Sequence, residues 1–458
     1  MNPSVKSRRE ELRELMRLAV PIAIAQGGQA LMGLVDTLVV ARAGTSALAA
    51  VGLAHNLFFA ISSVGIGLMM GFDPLMAQAF GAKNPGRARA LLWQGAWAVL
   101  AVGLVLWGLL LTLPSLLPLV GYQEEALEGT RSYLRWRAPA LIPLLFFLMF
   151  RSYLQSAASV RPLIFATVVA NVFNLGLGIV LVFGGGVLPE AFGPLRRIPS
   201  MGANGSALAT LLSTVLEMGI LFGAVRALGR PGVSHNWRPR WADLAQAARV
   251  GLPIGLHLAA EVGIFSLAGA MAFRISPESM GAHQIAISYA SVSFTIAMGI
   301  GNAGSVRVGW AVGARNTPQA RRSGFTAFVG GACFMLLSGL VFAVFPRQMA
   351  QLAGAPVEVI PLVVPLLMVS AVFQVFDGVQ GVGAGVLRGT GATRFTFVAN
   401  MVAHYGVGLP LSLWLGFGLG LGVLGIWWGL CAGLICVAFS LVWRFHRLSA
   451  GVLRPLEA

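Results

Sequence analysis

Twelve apolar runs, each long enough to cross a bilayer as a helix, leave this chain little choice but a bundle of membrane helices. A spanning helix needs about 20 predominantly apolar residues, and its backbone must satisfy its own hydrogen bonds inside the hydrocarbon. The runs fall at 17–42, 48–80, 91–118, 136–157, 161–184, 202–226, 249–274, 280–312, 323–350, 358–387, 393–416 and 421–444, divided by charge, glycine or proline. Those longer than the minimum allow tilt or interfacial extension. Composition agrees, with 57% of 458 residues hydrophobic, 10% charged and a mean hydropathy of +0.80. The predicted class is an all-α polytopic membrane protein with 12 transmembrane helices.

A net charge of +16 could suggest nucleic acid, but the position of the charge argues otherwise. With the N-terminus inside, 24 of the 32 basic residues collect on the inner side, in clusters such as Lys6–Arg17, Lys83–Arg89, Arg226–Arg249, Arg307–Arg322 and Arg444–Arg454. The acidic loop YQEEALEG at 122–129 then falls outside. This is the positive-inside pattern, so the basic charge anchors topology, both termini are cytoplasmic, and nucleic acid is not an expected partner. The first 20 residues lack the short apolar core and small-residue cleavage site of a secretory leader, so no signal peptide is expected to be removed. Cys333, Cys431 and Cys436 lie in apolar runs without metal spacing and read as packing residues.

The chain also repeats itself. Arg17, Pro21 and Arg42 recur as Arg249, Pro253 and Arg274, each shifted by 232, and GAKNPGRAR at 81–89 recurs as GARNTPQAR at 313–321. Further on, a shift of 233 maps Arg161 onto Arg394. Each copy holds six spans, an even number, so both copies start from the same side of the membrane. The expected arrangement is two six-helix lobes related by a parallel pseudo-two-fold repeat. The first lobe would occupy 1–228, a cytoplasmic linker 229–248, the second lobe 249–446 and a cytoplasmic tail 447–458. Two such lobes suit alternating access.

Five of the sixteen acids lie inside spans: Asp36, Asp73, Glu217, Glu261 and Asp377. Arg249 and Arg274 bracket 24 residues among which Glu261 is the only charge. A carboxylate there costs roughly 2.5–3.5 kcal/mol on insertion scales and is a functional candidate by default. At 1.5 Å per residue, Glu261 is about 18 Å from the Arg249 level and Asp377 about 16 Å from Arg388. Two carboxylates converging at that depth could not both stay ionised without a cation between them, which is the behaviour of a coupling-ion site. The alternative is that each pairs with an arginine or a backbone donor. Asp36, about 28 Å from the Arg17 level, lies toward the outer side of the first lobe. The position equivalent to Glu261 in that lobe is Gln29, and the one equivalent to Asp36 is Ala268.

Asp73 and Glu217 are also mid-depth, and Arg151 could neutralise one of them; ion pairing is the favoured reading for both. Asn171, Asn174, Ser206 and Thr210 could line a first-lobe cavity, with helix–helix hydrogen bonds as the equal alternative. His283 and Gln284 read first as a local packing contact. Pro21 and Pro253 each remove a backbone hydrogen bond near the start of a lobe and make a gating kink plausible. No phosphate loop, HExxH or paired-cysteine motif occurs, and GVQGVGAG at 378–385 lies inside a span with no preceding strand. An enzyme is therefore not expected.

These residues resemble the multidrug and toxin extrusion (MATE) transporters, in their NorM-like branch, over nearly the whole chain. The resemblance rests on Pro21 with LMGLVDTLVVARAG, on FRSYLQ, GLPIGLHLAAEVGIF, AHQIAISYASVSF and VRVGWAVGA, and on FQVFDGVQGVGAGVLRGTGATR. It implies efflux of organic cations driven by inward sodium or proton flow. Glu261 and Asp377 would bind the coupling ion, holding sodium if that is the ion, while Asp36 would act in the first lobe and Phe294 would stand near the cation site. Two positions depart from the pattern: Phe373 replaces a tyrosine, and Gly178 replaces the polar partner of Asn174. Asp73 and Glu217 lie outside the pattern.

The reading is a monomeric antiporter of a bacterial cytoplasmic (inner) membrane, coupled to Na+ or H+, needing no cofactor and exporting cationic or amphiphilic organic compounds. Its rival is a flippase for a lipid-linked saccharide, which would want a larger, basic cavity; here the mid-depth charges are mainly acidic.

Overall fold

The computed structural model describes residues 7–42, 45–116, 118, 124–229 and 238–456. Lys6, Arg230 and the linker stretch 230–237 lie outside the described residues, as does the start of the acidic loop. Among the described residues the chain is helical with no strand. The helices are α1 (Arg8–Ala41), α2 (Thr45–Met70), α3 (Phe72–Gly81), α4 (Pro85–Thr112), α5 (Glu124–Arg137), α6 (Leu141–Ser156), α7 (Arg161–Phe183) and α8 (Ala203–Ala227). There follow α9 (Trp241–Ile275), α10 (Pro277–Gly313), α11 (Thr317–Val344), α12 (Pro346–Leu352), α13 (Ile360–Thr390), α14 (Thr393–Met401), α15 (Leu409–Leu413) and α16 (Gly422–Ala450).

Local chemistry sets the helix ends. Ser7 and Glu10 form a reciprocal capping box at the start of α1, with Ser7 N donating to Glu10 Oε2 at 2.8 Å and Glu10 N to Ser7 Oγ at 3.2 Å. Asn316 caps α11 by accepting from Gln319 N at 3.1 Å. Gly71 separates α2 from α3; a Cβ there would lie 2.1 Å from the Ala247 carbonyl oxygen, so the close approach of α2 to the start of α9 requires glycine.

Eleven of the expected spans are continuous apolar helical stretches of sufficient length among the described residues. The remaining one, the eleventh in order, expected at 393–416, is helical too, but its α-helical hydrogen bonding is interrupted. Wider π turns at Val402–Gly408 and Trp414–Gly418 divide it into α14 and α15. Large apolar side chains such as Val105, Val172, Phe273 and Phe439 are exposed on helix surfaces, as expected of helices solvated by lipid.

The sequence repeat reappears in the turns. Lys83 takes a left-handed conformation (φ 56°) after α3, with Lys83 N donating to Phe80 O and Asn84 N to Ala79 O. Arg315, 232 residues later, has φ 54° and the matching bonds, Arg315 N to Val312 O and Asn316 N to Ala311 O. At the shift of 233, Ala158 (φ 58°) and Gly391 (φ 86°) close α6 and α13 with the same pair of bonds. These are Schellman-type helix ends, repeated down to the hydrogen bond.

By contacts the chain forms two compact units. One contains Met1–Ile24, Asp73–Asn84 and Leu252–Ala458; the other contains Ala25–Phe72 and Pro85–Gly251. The first unit therefore takes in the start of α1 and most of α3 along with the second sequence copy. Its apolar core gathers Ile264, Phe342, Phe373, Leu430 and Trp427, with α13 packed between α10, α11 and α16. In the second unit α8 packs on α6 and α7, and Leu141, Leu145 and Met149 are fully buried.

Candidate functional site

In the first unit, α9, α13 and the α14 region each contribute polar residues at helical spacing. His257 and Glu261 lie one turn apart on α9, Gln374, Asp377 and Gln380 recur every three residues on α13, and Asn400 and His404 lie one turn apart at the end of α14. Each set therefore shares one side of its helix. The sequence-predicted pair comes together: Glu261 is 9% and Asp377 4% exposed, and they are near enough for their charges to act on each other. Gln380 Nε2 donates to Glu261 Oε1 at 3.4 Å and lies 3.5 Å from His257 Nε2. His257 Nε2 is 3.8 Å from the other Glu261 oxygen. Tyr405 OH donates to the Ala260 carbonyl at 2.7 Å, which fixes α9 at the peptide preceding Glu261.

Several buried polar atoms of this set have no hydrogen-bond partner among the described residues. They include His257 Nδ1, Gln380 Oε1, both amide atoms of Gln374 and Asn400, and both ring nitrogens of His404. His404 is close enough to His257 to interact with it electrostatically. No three His, Cys, Asp or Glu side chains converge as a metal-ion set among the described residues. An alkali ion here would draw on Glu261, Asp377 and amide oxygens. Phe294 rests against α13 at Gly381, where a Cβ would come within 2.8 Å of its ring. Phe373 is packed between Phe265 and Trp427, with ring centroids 6.1 and 5.2 Å away, and offers no oxygen.

In the second unit, Thr210 Oγ1 donates to Asp36 Oδ2 at 2.5 Å. Asp36 lines a cavity of about 300 Å³ with Gln29, His55, Asn56, Tyr133 and Arg137. The Arg137 guanidinium lies over the Phe58 ring at 4.4 Å and its charge acts on Asp36. Asn174 and Ser206 stand beside the Asp36 carboxylate and interact with it. Asn171 donates to the Gly28 and Thr167 carbonyls at 3.0 and 2.8 Å, a helix–helix tie. Glu217 receives Gln29 Nε2 on both oxygens (2.7 and 2.6 Å) and Thr167 Oγ1 at 3.0 Å. Here the amide is on α1 and the acid on α8, whereas the equivalent position on α9 carries the acid and the amide is on α13.

The remaining candidates separate. Asp73 pairs with Arg388 at 3.6 Å, and Arg388 also holds Asn302 and Ser305. Arg151 lies over the Phe147 ring at 5.9 Å, and its charge acts on Glu217. His283 Nδ1 accepts from Trp427 Nε1 at 3.2 Å, the expected packing contact, while Gln284 is exposed. Helices α1 and α9 run through Pro21 and Pro253 without interruption. Sequence reasoning missed His257, Gln374, Gln380, Asn400 and His404. The spacing of His257 to Glu261 and of Gln380 to Asp377 was available as a signal, because a second polar residue one turn from a membrane acid shares its face.

The MatE family profile matches residues 21–180 and again 253–414. The two matches begin at Pro21 and Pro253, the anchors of the repeat. The chain is 34% identical over 455 residues to the "Probable multidrug resistance protein NorM" of Mesorhizobium japonicum, covering 96% of this chain and 94% of that protein. It is 34% identical over 447 residues to the multidrug resistance protein NorM of Burkholderia vietnamiensis, covering 95% and 94%. In fold it is similar to the Vibrio cholerae MATE transporter VcmN in its bent form, with a TM-score of 0.84, 19% identity and 97% and 98% of the two chains covered. With two profile matches spanning both copies of the repeat and relatives aligned over nearly their full length, this chain belongs to the MATE family, in its NorM-like branch.

Proposed function

We propose that the protein is an antiporter that exports cationic or amphiphilic organic compounds in exchange for Na+ or H+, by alternating access between two six-helix lobes in a bacterial inner membrane. The observation that carries this reading is the burial of Glu261 and Asp377 together, with no arginine or lysine bonded to either among the described residues. Two acids so placed favour a bound cation, whether a metal ion, a proton or the charged group of a drug. Unpaired buried polar atoms cost about 1–3 kcal/mol each, and an ion bringing water among His257, Gln374, Asn400 and His404 supplies their partners.

Exchange follows if ion and substrate compete for the acids or prefer opposite states, since coupling requires differential binding. Asp36, with Thr210, Asn174 and the adjoining cavity, is a second cation-accepting position. Pro21 and Pro253 lie where a bend would move the helices bearing Asp36 and Glu261. The names of the NorM relatives support multidrug compounds as substrates. In proteoliposomes, adding ethidium or norfloxacin should release sodium or protons in proportion to drug moved. Drug-independent ion leak, or drug movement with neither gradient, overturns the proposal.

A further inference from the structure

We propose that a groove walled by α1, α11 and the end of α16 binds an anionic phospholipid. The groove has a volume of about 1120 Å³ and is lined at one end by Arg8, Arg321 and Arg322. No acid lines it. It opens at the first turn of α11, where the positive end of the helix dipole also favours an anion. From there it follows one face of α11 through Phe325, Val329 and Cys333, spaced four residues apart. Val329 is 61% exposed, and Cys333 is exposed as well.

Charge and apolar surface are joined in one site, for the Arg321 guanidinium lies 5.9 Å above the Phe325 ring. Arg321 to Cys333 is 12 residues, about 18 Å of helix, and one leaflet of the hydrocarbon core is about 15 Å deep. An anionic headgroup on the arginines therefore sends its acyl chains along Phe325, Val329 and Cys333. A soluble anion would leave that furrow unused. Beyond Val452 the described tail is tied at Leu453 N to Thr317 Oγ1 at 3.0 Å and at Leu456 N to Gln78 Oε1 at 2.7 Å. Basic pockets of this kind recognise anionic lipid headgroups.

The test uses the full-length protein in detergent micelles and reads alkylation of the native Cys333 by peptide-resolved mass spectrometry. Phosphatidylglycerol should slow alkylation at least fivefold relative to phosphatidylcholine. At roughly fivefold per basic residue near a membrane surface, the double variant Arg321→Ala, Arg322→Ala should weaken phosphatidylglycerol binding about 25-fold. Val329→Trp fills the furrow and leaves the arginines in place, so it should also remove the protection if the double variant does not fold. Equal protection by the two lipids, unchanged protection in Val329→Trp, or equal protection by glycerol phosphate without acyl chains overturns the assignment. Transport is not part of the readout, so the result is independent of the antiport reading.

Discussion

Exchanging Glu261 for glutamine keeps the side-chain shape and removes one charge from the α9–α13 set. A monovalent cation held about 4 Å from a carboxylate gains about 4 kcal/mol at an effective dielectric of about 20, which is about 10³-fold in binding. Asp377 still contributes in the variant, but the ion loses half of its carboxylate partners. The fold should survive, because a glutamine oxygen can accept the Gln380 Nε2 donor now 3.4 Å from Glu261 Oε1, and no arginine or lysine is stranded by the change. The assay reconstitutes wild-type and Glu261→Gln protein in proteoliposomes and measures ethidium-induced sodium or proton release. Expected are an unchanged melting temperature in detergent and about a 10³-fold weaker dependence on the coupling ion, with efflux lost at ordinary ion concentrations. Asp377→Asn should behave alike and serves as the second variant. A folded Glu261→Gln protein that transports at wild-type rates with unchanged ion dependence would refute the reasoning.

Other consequences follow from the same contacts. His257→Leu removes the imidazole 3.8 Å from Glu261; transport should fall about tenfold, as for about 1.4 kcal/mol of lost polar interaction, with thermal stability retained. Equal transport would place His257 outside the site. Arg388→Met removes a buried guanidinium that bonds Asn302 and Ser305 and lies 3.6 Å from Asp73; stability should fall by about 1–3 kcal/mol, read as a drop in melting temperature, and an unchanged melting temperature would contradict it. Lys83→Gly and Arg315→Gly relieve left-handed side-chain backbones (φ 56° and 54°), worth about 1–2 kcal/mol, less about 0.4–1 kcal/mol of unfolded-chain entropy that glycine adds, so each should stabilise by up to about 1 kcal/mol. A lower melting temperature in both variants would contradict that reading.

Residue order and polarity alone determined a helical membrane chain of twelve spans, the duplication, and the mid-span acids worth asking about. They could do so because the requirements for crossing lipid are local: an apolar run about 20 residues long, charges at its ends, and a high cost for any acid within it. The repeat was legible for the same reason, since GAKN and GARN make the same turn, bond for bond.

Which of those acids meet which partners was decided by tertiary packing. Depth counting put Asp73, Glu217, Glu261 and Asp377 at similar levels, but helix rotation and neighbour choice do not follow from depth. Packing sends Asp73 to Arg388, Glu217 to Gln29 and Thr167, and Asp36 to Thr210, while Glu261 and Asp377 are left to each other among His257, Gln374, Gln380, Asn400 and His404. The π turns in the eleventh span belong to the same class, because a run that is apolar on almost every side does not distinguish an α-helical from a π-helical turn.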